Sequence, residues 1–289
     1  MKLINKLRFY LFITLNLLFI SCSTNNENLS NKTNLLQGKS ILKIDQKVED
    51  KNEIREVLVI APNPIIKDKK YPVVFYFHGN GGNKEAGMEL NKLVNDDQFI
   101  TVSPQGLYNS WNLGQEDSKA DDVEFVSLII EKLKEYSNIN INKKYAIGYS
   151  NGSALVNELA VKSSNFNGIA PFASQLTVGQ TNLLSESTNP LSVYQVCGSN
   201  DNVIPYEGGL SVVGHTFISA KNSAKRYAET FKCNLSPEIT MVGIDSVFRY
   251  KNCKNSHEIK FYKSEGGGHG LKGKNDQKYE LVWEFFKKH

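Results

Sequence analysis

Three side chains of this sequence have the types and order of a proton-relaying nucleophile. Gly148-Tyr149-Ser150-Asn151-Gly152 is a G-x-S-x-G run set between an expected strand, Lys144 to Ile147, and an expected helix, Ser153 to Lys162. That context lifts a serine on a sharp strand-to-helix turn, where only small neighbours let strand and helix approach. A serine hydroxyl is a poor nucleophile until a base takes its proton and a carboxylate orients that base. On such an elbow the partners follow the serine in the order acid, then histidine. His269, in Gly266-Gly-Gly-His-Gly270 just past the last expected strand, is placed to be the base. His257 precedes that strand, His289 ends the chain, and His215 stands among Gly and Val before a helix. Asp201 is the carboxylate of the turn after Ser192 to Val196, so it is the expected acid, although an Asx-turn would also explain it. The stabilising amides for an oxyanion are expected from Asn151 and from the His78-Gly79-Asn80 turn, through Asn80 or Gly79. His78 itself is expected to bond within its loop. Trp111, Tyr149 and Tyr206 are candidates to line the site. Asp121 and Asp122 read as helix caps.

The elements that must position these groups alternate between short β-branched or aromatic runs and helical patterns. Expected strands are Glu56 to Ile60, Pro72 to Phe77, Phe99 to Val102, Lys144 to Ile147, Ile169 to Phe172, Ser192 to Val196 and Glu258 to Tyr262. Pro72 to Phe77 is apolar throughout, as a strand buried on both faces requires. Helices are expected after the His78 turn to about Val94, from Asp121-Asp122 through Leu133, over Ser153 to Lys162, over Ser219 to Phe231, and over Gln277 to Lys288. Such alternation gives an α/β fold, a doubly wound and mostly parallel sheet with helices on both faces.

Ahead of these elements, Lys2, Lys6 and Arg8 precede an apolar run from Phe9 to Ile20, which reads as an export signal over residues 1–21. The run is shorter than the roughly 20 residues of a spanning helix. Cys22 stands where lipoprotein-type signals place a lipidated cysteine, so a membrane-anchored, exported protein is expected. Residues 22–39 are rich in Asn, Ser, Thr and Lys and read as a disordered tether, with 40–289 as the domain. The net charge of +4 includes the three N-terminal cations, leaving no basic face for nucleic acid. Of the four cysteines, Cys233 and Cys253 flank a polar segment suited to a disulfide, and Cys197 is expected free and buried. None has metal-ligand spacing, and neither metal nor organic cofactor is expected. A monomer is expected.

Taken together, these blocks resemble the exported feruloyl esterase and polyhydroxybutyrate depolymerase group, which includes acetylxylan esterases, of the α/β-hydrolase superfamily. The matching runs are the His-Gly turn at 78–82, Asp121-Asp122-Val123, the elbow at 148–152, Asp201 with Val203-Ile-Pro-Tyr-Glu-Gly-Gly209, and Gly-Gly-Gly-His at 266–269. The resemblance implies Ser150, Asp201 and His269 as a triad acting on acyl esters of polysaccharide or hydroxyalkanoate oligomers. The chain departs from the group at Cys197, where a histidine is usual, and at Gly270-Leu271-Lys272, where an aromatic and a proline are usual. A peptidase of the same fold and an inactive polysaccharide-binding protein are the rival readings.

Overall fold

The computed structural model describes residues 34–271 and 275–289. The expected export signal, Cys22 and most of the expected tether lie outside the described residues.

The chain enters through a hairpin, β1 (Gly38–Val48) and β2 (Lys51–Ala61), then β3 (Tyr71–Phe77), a 3-10 turn and the short α1 (Asn91–Asn95). Next come β4 (Ile100–Pro104), α2 (Asp122–Leu133), β5 (Ile139–Tyr149), α3 (Asn151–Lys162), β6 (Gly168–Phe172), α4 (Val178–Leu183) and β7 (Ser192–Gly198). A two-stranded ribbon, β8 (Gly209–Leu210) and β9 (Thr216–Phe217), leads into α5 (Ala220–Thr230). The hairpin β10 (Glu238–Val242) and β11 (Asp245–Tyr250), then β12 (Ile259–Ser264) and α6 (Asn275–Phe286), complete it.

Ten strands form one sheet in the order β1-β2-β4-β3-β5-β6-β7-β12-β11-β10. The six from β4 to β12 are parallel, and an antiparallel hairpin closes each edge. Parallel strands must be covered on both faces, and β3 shows how. Val73, Phe75 and Phe77 enter one core with residues of α2, α3 and α5. Val74 and Tyr76 enter the other, with Val94 of α1 and Val282, Trp283, Phe285 and Phe286 of α6.

Four local readings need correction. The described residues 34–39, read from the sequence as tether, join the domain: Leu36 is 3% exposed, its amide donates to Asn138 Oδ1, and β1 begins at Gly38. The helix expected up to Val94 is mostly a 3-10 turn over Lys84–Leu90. The β10–β11 hairpin was not foreseen. Asp121 does cap α2, accepting from the Glu124 amide at 2.9 Å, but Asp122 is no cap. It is 3% exposed, pairs with buried Arg55 at 2.8 Å, and accepts from the Asn112 amide at 2.7 Å. Arg55 lies over the Phe125 ring and also donates to Gln46 Oε1 and the Gln105 carbonyl. This network ties β2 to the start of α2 and to the loop between β4 and α2. Burial lowers the Arg55 pKa and raises that of Asp122, each opposed by the partner's charge.

Cys233 and Cys253 are disulfide-bonded. Cys197 is free and buried, and burial pushes its thiol pKa up.

Candidate active site

The elbow forms because its glycines leave no alternative. A Cβ on Gly148 would lie 2.3 Å from the Gly152 carbonyl oxygen, and one on Gly152 would lie 2.2 Å from the Phe77 carbonyl oxygen. Between them Ser150 adopts φ 54°, ψ −117°, a conformation that L-residues adopt only under local constraint. That constraint is visible. The Ser150 amide donates to the Phe172 carbonyl at 2.9 Å. Ser153 Oγ accepts from the Phe172 amide at 2.7 Å and stands 2.6 Å from the Gly148 and Phe172 carbonyl oxygens, one of which takes its proton. The sequence reading had not singled out Ser153.

Asp201 and His269 arrive from the ends of two neighbouring strands. A Cβ on Gly198, at the end of β7, would lie 2.3 Å from the Gly267 carbonyl oxygen, so the two loops touch backbone to backbone. Hydrogen bonds from Ser199 N to Ser264 O (3.0 Å) and Asn200 N to Gly267 O (2.8 Å) join them. Asp201, 6% exposed, uses its oxygens separately. Oδ1 accepts from the amides of Val203 (2.8 Å) and Ile204 (2.9 Å), while Oδ2 faces His269 Nδ1 at 2.8 Å. One carboxylate therefore closes an Asx-turn and contacts the His269 ring. His269 Nε2 lies 2.8 Å from Ser150 Oγ. The carboxylate only accepts, which assigns the proton to Nδ1 and leaves Nε2 as an acceptor facing the Ser150 hydroxyl.

Beside the serine stand the two candidate amides. Asn151 is the first residue of α3, where the helix offers its N–H no partner. Gly79 presses on the elbow, since a Cβ there would lie 3.5 Å from Ser150 Cβ, and Asn80 lines the cavity above it. His78 stays within its loop. Its Nδ1 donates to the Gly79 carbonyl at 2.8 Å and its Nε2 accepts the Gly106 amide at 3.0 Å. The Asn151 side chain accepts from Trp111 N at 2.8 Å and donates to Trp111 O at 3.1 Å, pinning that loop to the elbow.

A cavity of about 310 Å³ opens over Ser150. The three aromatic candidates do not line it. Trp111 is wholly buried, edge-on to Phe77 and donating to the His78 carbonyl, so it is core. Tyr206 stacks on Phe261, its ring beneath Lys263. Tyr149 lines a smaller neighbouring cavity, and its hydroxyl donates to the His269 carbonyl at 2.7 Å, holding the histidine loop. Burial and the nearby Asp201 charge push that hydroxyl up to about 12, so it stays a donor. The cavity instead has apolar surface from Leu113, Ile204, Val213 and Phe217, and polar surface that includes Asn80, Ser110 and Ser174 as well as Glu116 and His215. His215 Nε2 lies 2.9 Å from Glu116 Oε1. Burial would raise the Glu116 pKa, but His215 and the amides of Leu113 and Gln115 outweigh it and hold the carboxyl below its ordinary value. Glu116 carries no signal in the sequence and His215 was weighed only as a base, because the two sit 99 positions apart in turn-rich loops.

No protein-family model matches the chain. Feruloyl esterase B of Piromyces equi is 27% identical over 249 residues, covering 81% of this chain and 45% of its own length. Thus the chain spans less than half of that relative. Feruloyl esterase C of Emericella nidulans is 23% identical over 249 residues, covering 80% and 83% respectively. Among solved structures, an acetyl xylan esterase from Aspergillus awamori superposes with a TM-score of 0.60 at 12% identity, covering 85% of this chain and 99% of that one. The fold is that of the α/β-hydrolases, and in sequence the chain stands with relatives named feruloyl esterase and acetylxylan esterase.

Proposed function

We propose that this chain is a serine carboxylic-ester hydrolase working through an acyl-enzyme, with Ser150 as nucleophile, His269 as general base and Asp201 as its orienting acid. The carrying observation is the pair of 2.8 Å contacts that link Ser150 Oγ, His269 and Asp201. His269 Nε2 takes the Ser150 proton as Oγ bonds to the ester carbonyl carbon, and the amides of Asn151 and of Asn80 or Gly79 hold the oxyanion. The imidazolium then protonates the departing alcohol. Water, deprotonated by the same nitrogen, attacks the acyl-enzyme and frees the acid and Ser150. Neither step calls for a cofactor.

The substrate is an acyl ester, feruloyl or acetyl, of polysaccharide, with hydroxyalkanoate oligomers as the other polymer class. The names of the sequence relatives support the first. Export with lipid anchoring at Cys22 belongs to the same proposal and is supported by the charged and apolar N-terminal sequence. Ser150→Ala should lower kcat on p-nitrophenyl acetate by roughly 10⁶, and Asp201→Asn, which keeps the Asx-turn, by roughly 10⁴. Near-normal turnover by Ser150→Ala would end the reading. The panel that fixes the substrate is feruloylated arabinoxylan, acetylxylan and hydroxybutyrate oligomers, read by acid release.

A further inference from the structure

The wall of the cavity made by Glu116 and His215 plays no part in the relay, yet it faces the space a substrate must fill. The two residues come from separate loops, one between β4 and α2, the other between β8 and β9. Neither loop is left to drift. Glu116 Oε2 accepts from Leu113 N at 2.7 Å and Gln115 N at 3.1 Å. Gln115 Nε2 donates to the Gly214 carbonyl at 3.1 Å, across to the other loop. The His215 carbonyl is held by Ser211, through its amide at 2.9 Å and its hydroxyl at 2.8 Å. The pair is preorganised and largely dry, with the Glu116 and His215 side chains 15% and 11% exposed.

Its chemistry is one-sided. A carboxylate only accepts, with about four lone-pair sites. It accepts from His215 Nε2, Leu113 N and Gln115 N, and its own backbone amide also acts on it. With Nε2 donating to Glu116, Nδ1 is the second ring position of His215 that can hydrogen-bond. Leu113, Ile204, Val213 and Phe217 give the cavity apolar surface, and Asn80, Ser110, Asn151 and Ser174 add neutral polar groups, so among the described residues Glu116 is its one acidic side chain. A substrate seated here would meet a cavity of mixed polarity whose acidic side chain, Glu116, sits with His215 on one wall. A charged acceptor left facing an apolar group is costly, whereas a hydroxyl aimed at it is rewarded.

We infer that Glu116 and His215 form a specificity site that selects esters carrying a free hydroxyl directed at that wall. The hydroxyl belongs either to an aromatic acyl group or to the sugar alcohol. This rests on the esterase reading, which supplies the reaction whose substrate is being selected.

The test compares matched ester pairs within each protein, so that changes in overall activity cancel. In the acyl arm, kcat/KM for methyl 4-hydroxycinnamate is divided by that for methyl cinnamate. In the alcohol arm, a monoacetylated methyl xyloside is divided by its O-methylated counterpart. The native protein should favour the hydroxylated member at least tenfold in one arm, as expected for a hydrogen bond to a charged group. Glu116→Gln and His215→Phe should bring that ratio toward one. No preference in either arm of the native protein, or a preference unchanged in the folded variants, overturns the inference. Should both variants fail to fold, ring-¹⁵N spectra of the native protein decide. The favoured hydroxylated product must shift the His215 nitrogens and its partner lacking the hydroxyl must not; equal shifts overturn the inference. Failure of all turnover on p-nitrophenyl acetate would instead strike the esterase reading itself.

Discussion

His78 makes two ring contacts that require opposite roles of its nitrogens, donating through Nδ1 to Gly79 O and accepting at Nε2 from Gly106 N. Only the neutral ring can do both, and burial lowers its pKa from the ordinary 6.5. The sign follows from proton counting. The unfolded chain binds a proton at this residue before the folded one does, so the contribution is intact above about pH 6.5 and is lost as pH falls through the lowered folded value. His257 and His289, also lowered mainly by burial, add slopes of the same sign. Denaturant unfolding at pH 7.5, 6.5 and 5.5 should show stability falling with acid, by at most ~1.4 kcal/mol per pH unit for each titrating histidine. His78→Phe should flatten the curve; an equally steep one would remove His78 from this account. At this scale the sequence was informative where a residue's neighbours are its neighbours in the chain. Ser150 sits between glycines, and His269 follows three of them. It was silent where a role is made by distant backbone, as with Tyr149, whose hydroxyl reaches the His269 carbonyl 120 positions away.

Among the elements, the central strands were legible because Val and Phe runs buried on both faces leave no other reading. The edges were not. Gly38–Val48 alternates Leu42, Ile44, Gln46 and Val48 inward against exposed Lys43, Asp45 and Lys47. That strand pattern is interrupted by a buried Gln46, whose amide donates to Asp121 O and meets Arg55 instead of apolar neighbours. Glu238–Val242 is exposed along its whole length, so its residues carry no burial signal at all. The same contrast explains Asp122. Beside Asp121 at a helix start, it has a capping residue's sequence context, and only the packing of β2 against α2 brings Arg55 to it. Removing one partner strands a buried charge, which typically costs 3–5 kcal/mol, more than the pair itself contributes. Asp122→Asn should therefore destabilise the fold by about that much in denaturant titrations. Replacing Arg55 and Asp122 together with Met and Leu should recover most of the loss. A single variant as stable as the native chain would mean that the pair is relieved by water or another ion.

For the molecule as a whole, the proposed relay sits at one end of the parallel strands, while the antiparallel hairpins extend the sheet on either side. Ser150 follows β5, Asp201 follows β7 and His269 follows β12. All three strands lie in the uninterrupted parallel block β3-β5-β6-β7-β12. The β10–β11 hairpin lies outside this block and is tied at its base by Cys233–Cys253, across a separation of 20 residues. Closing a loop of that size removes unfolded-state entropy amounting to about 3 kcal/mol. In a domain of this length that corresponds to roughly 6–12 °C in melting temperature. The bond acts on the unfolded chain, and β12 has its own parallel pairing with β7, to which the disulfide contributes no atom. Stability and catalysis should therefore separate. A Cys233→Ser, Cys253→Ser double variant should melt roughly 6–12 °C lower by scanning calorimetry, with kcat/KM on p-nitrophenyl acetate unchanged at 25 °C. Activity lost in step with stability, at a temperature where the variant is fully folded, would mean that the hairpin helps to hold the His269 loop and that the sheet transmits strain across β12.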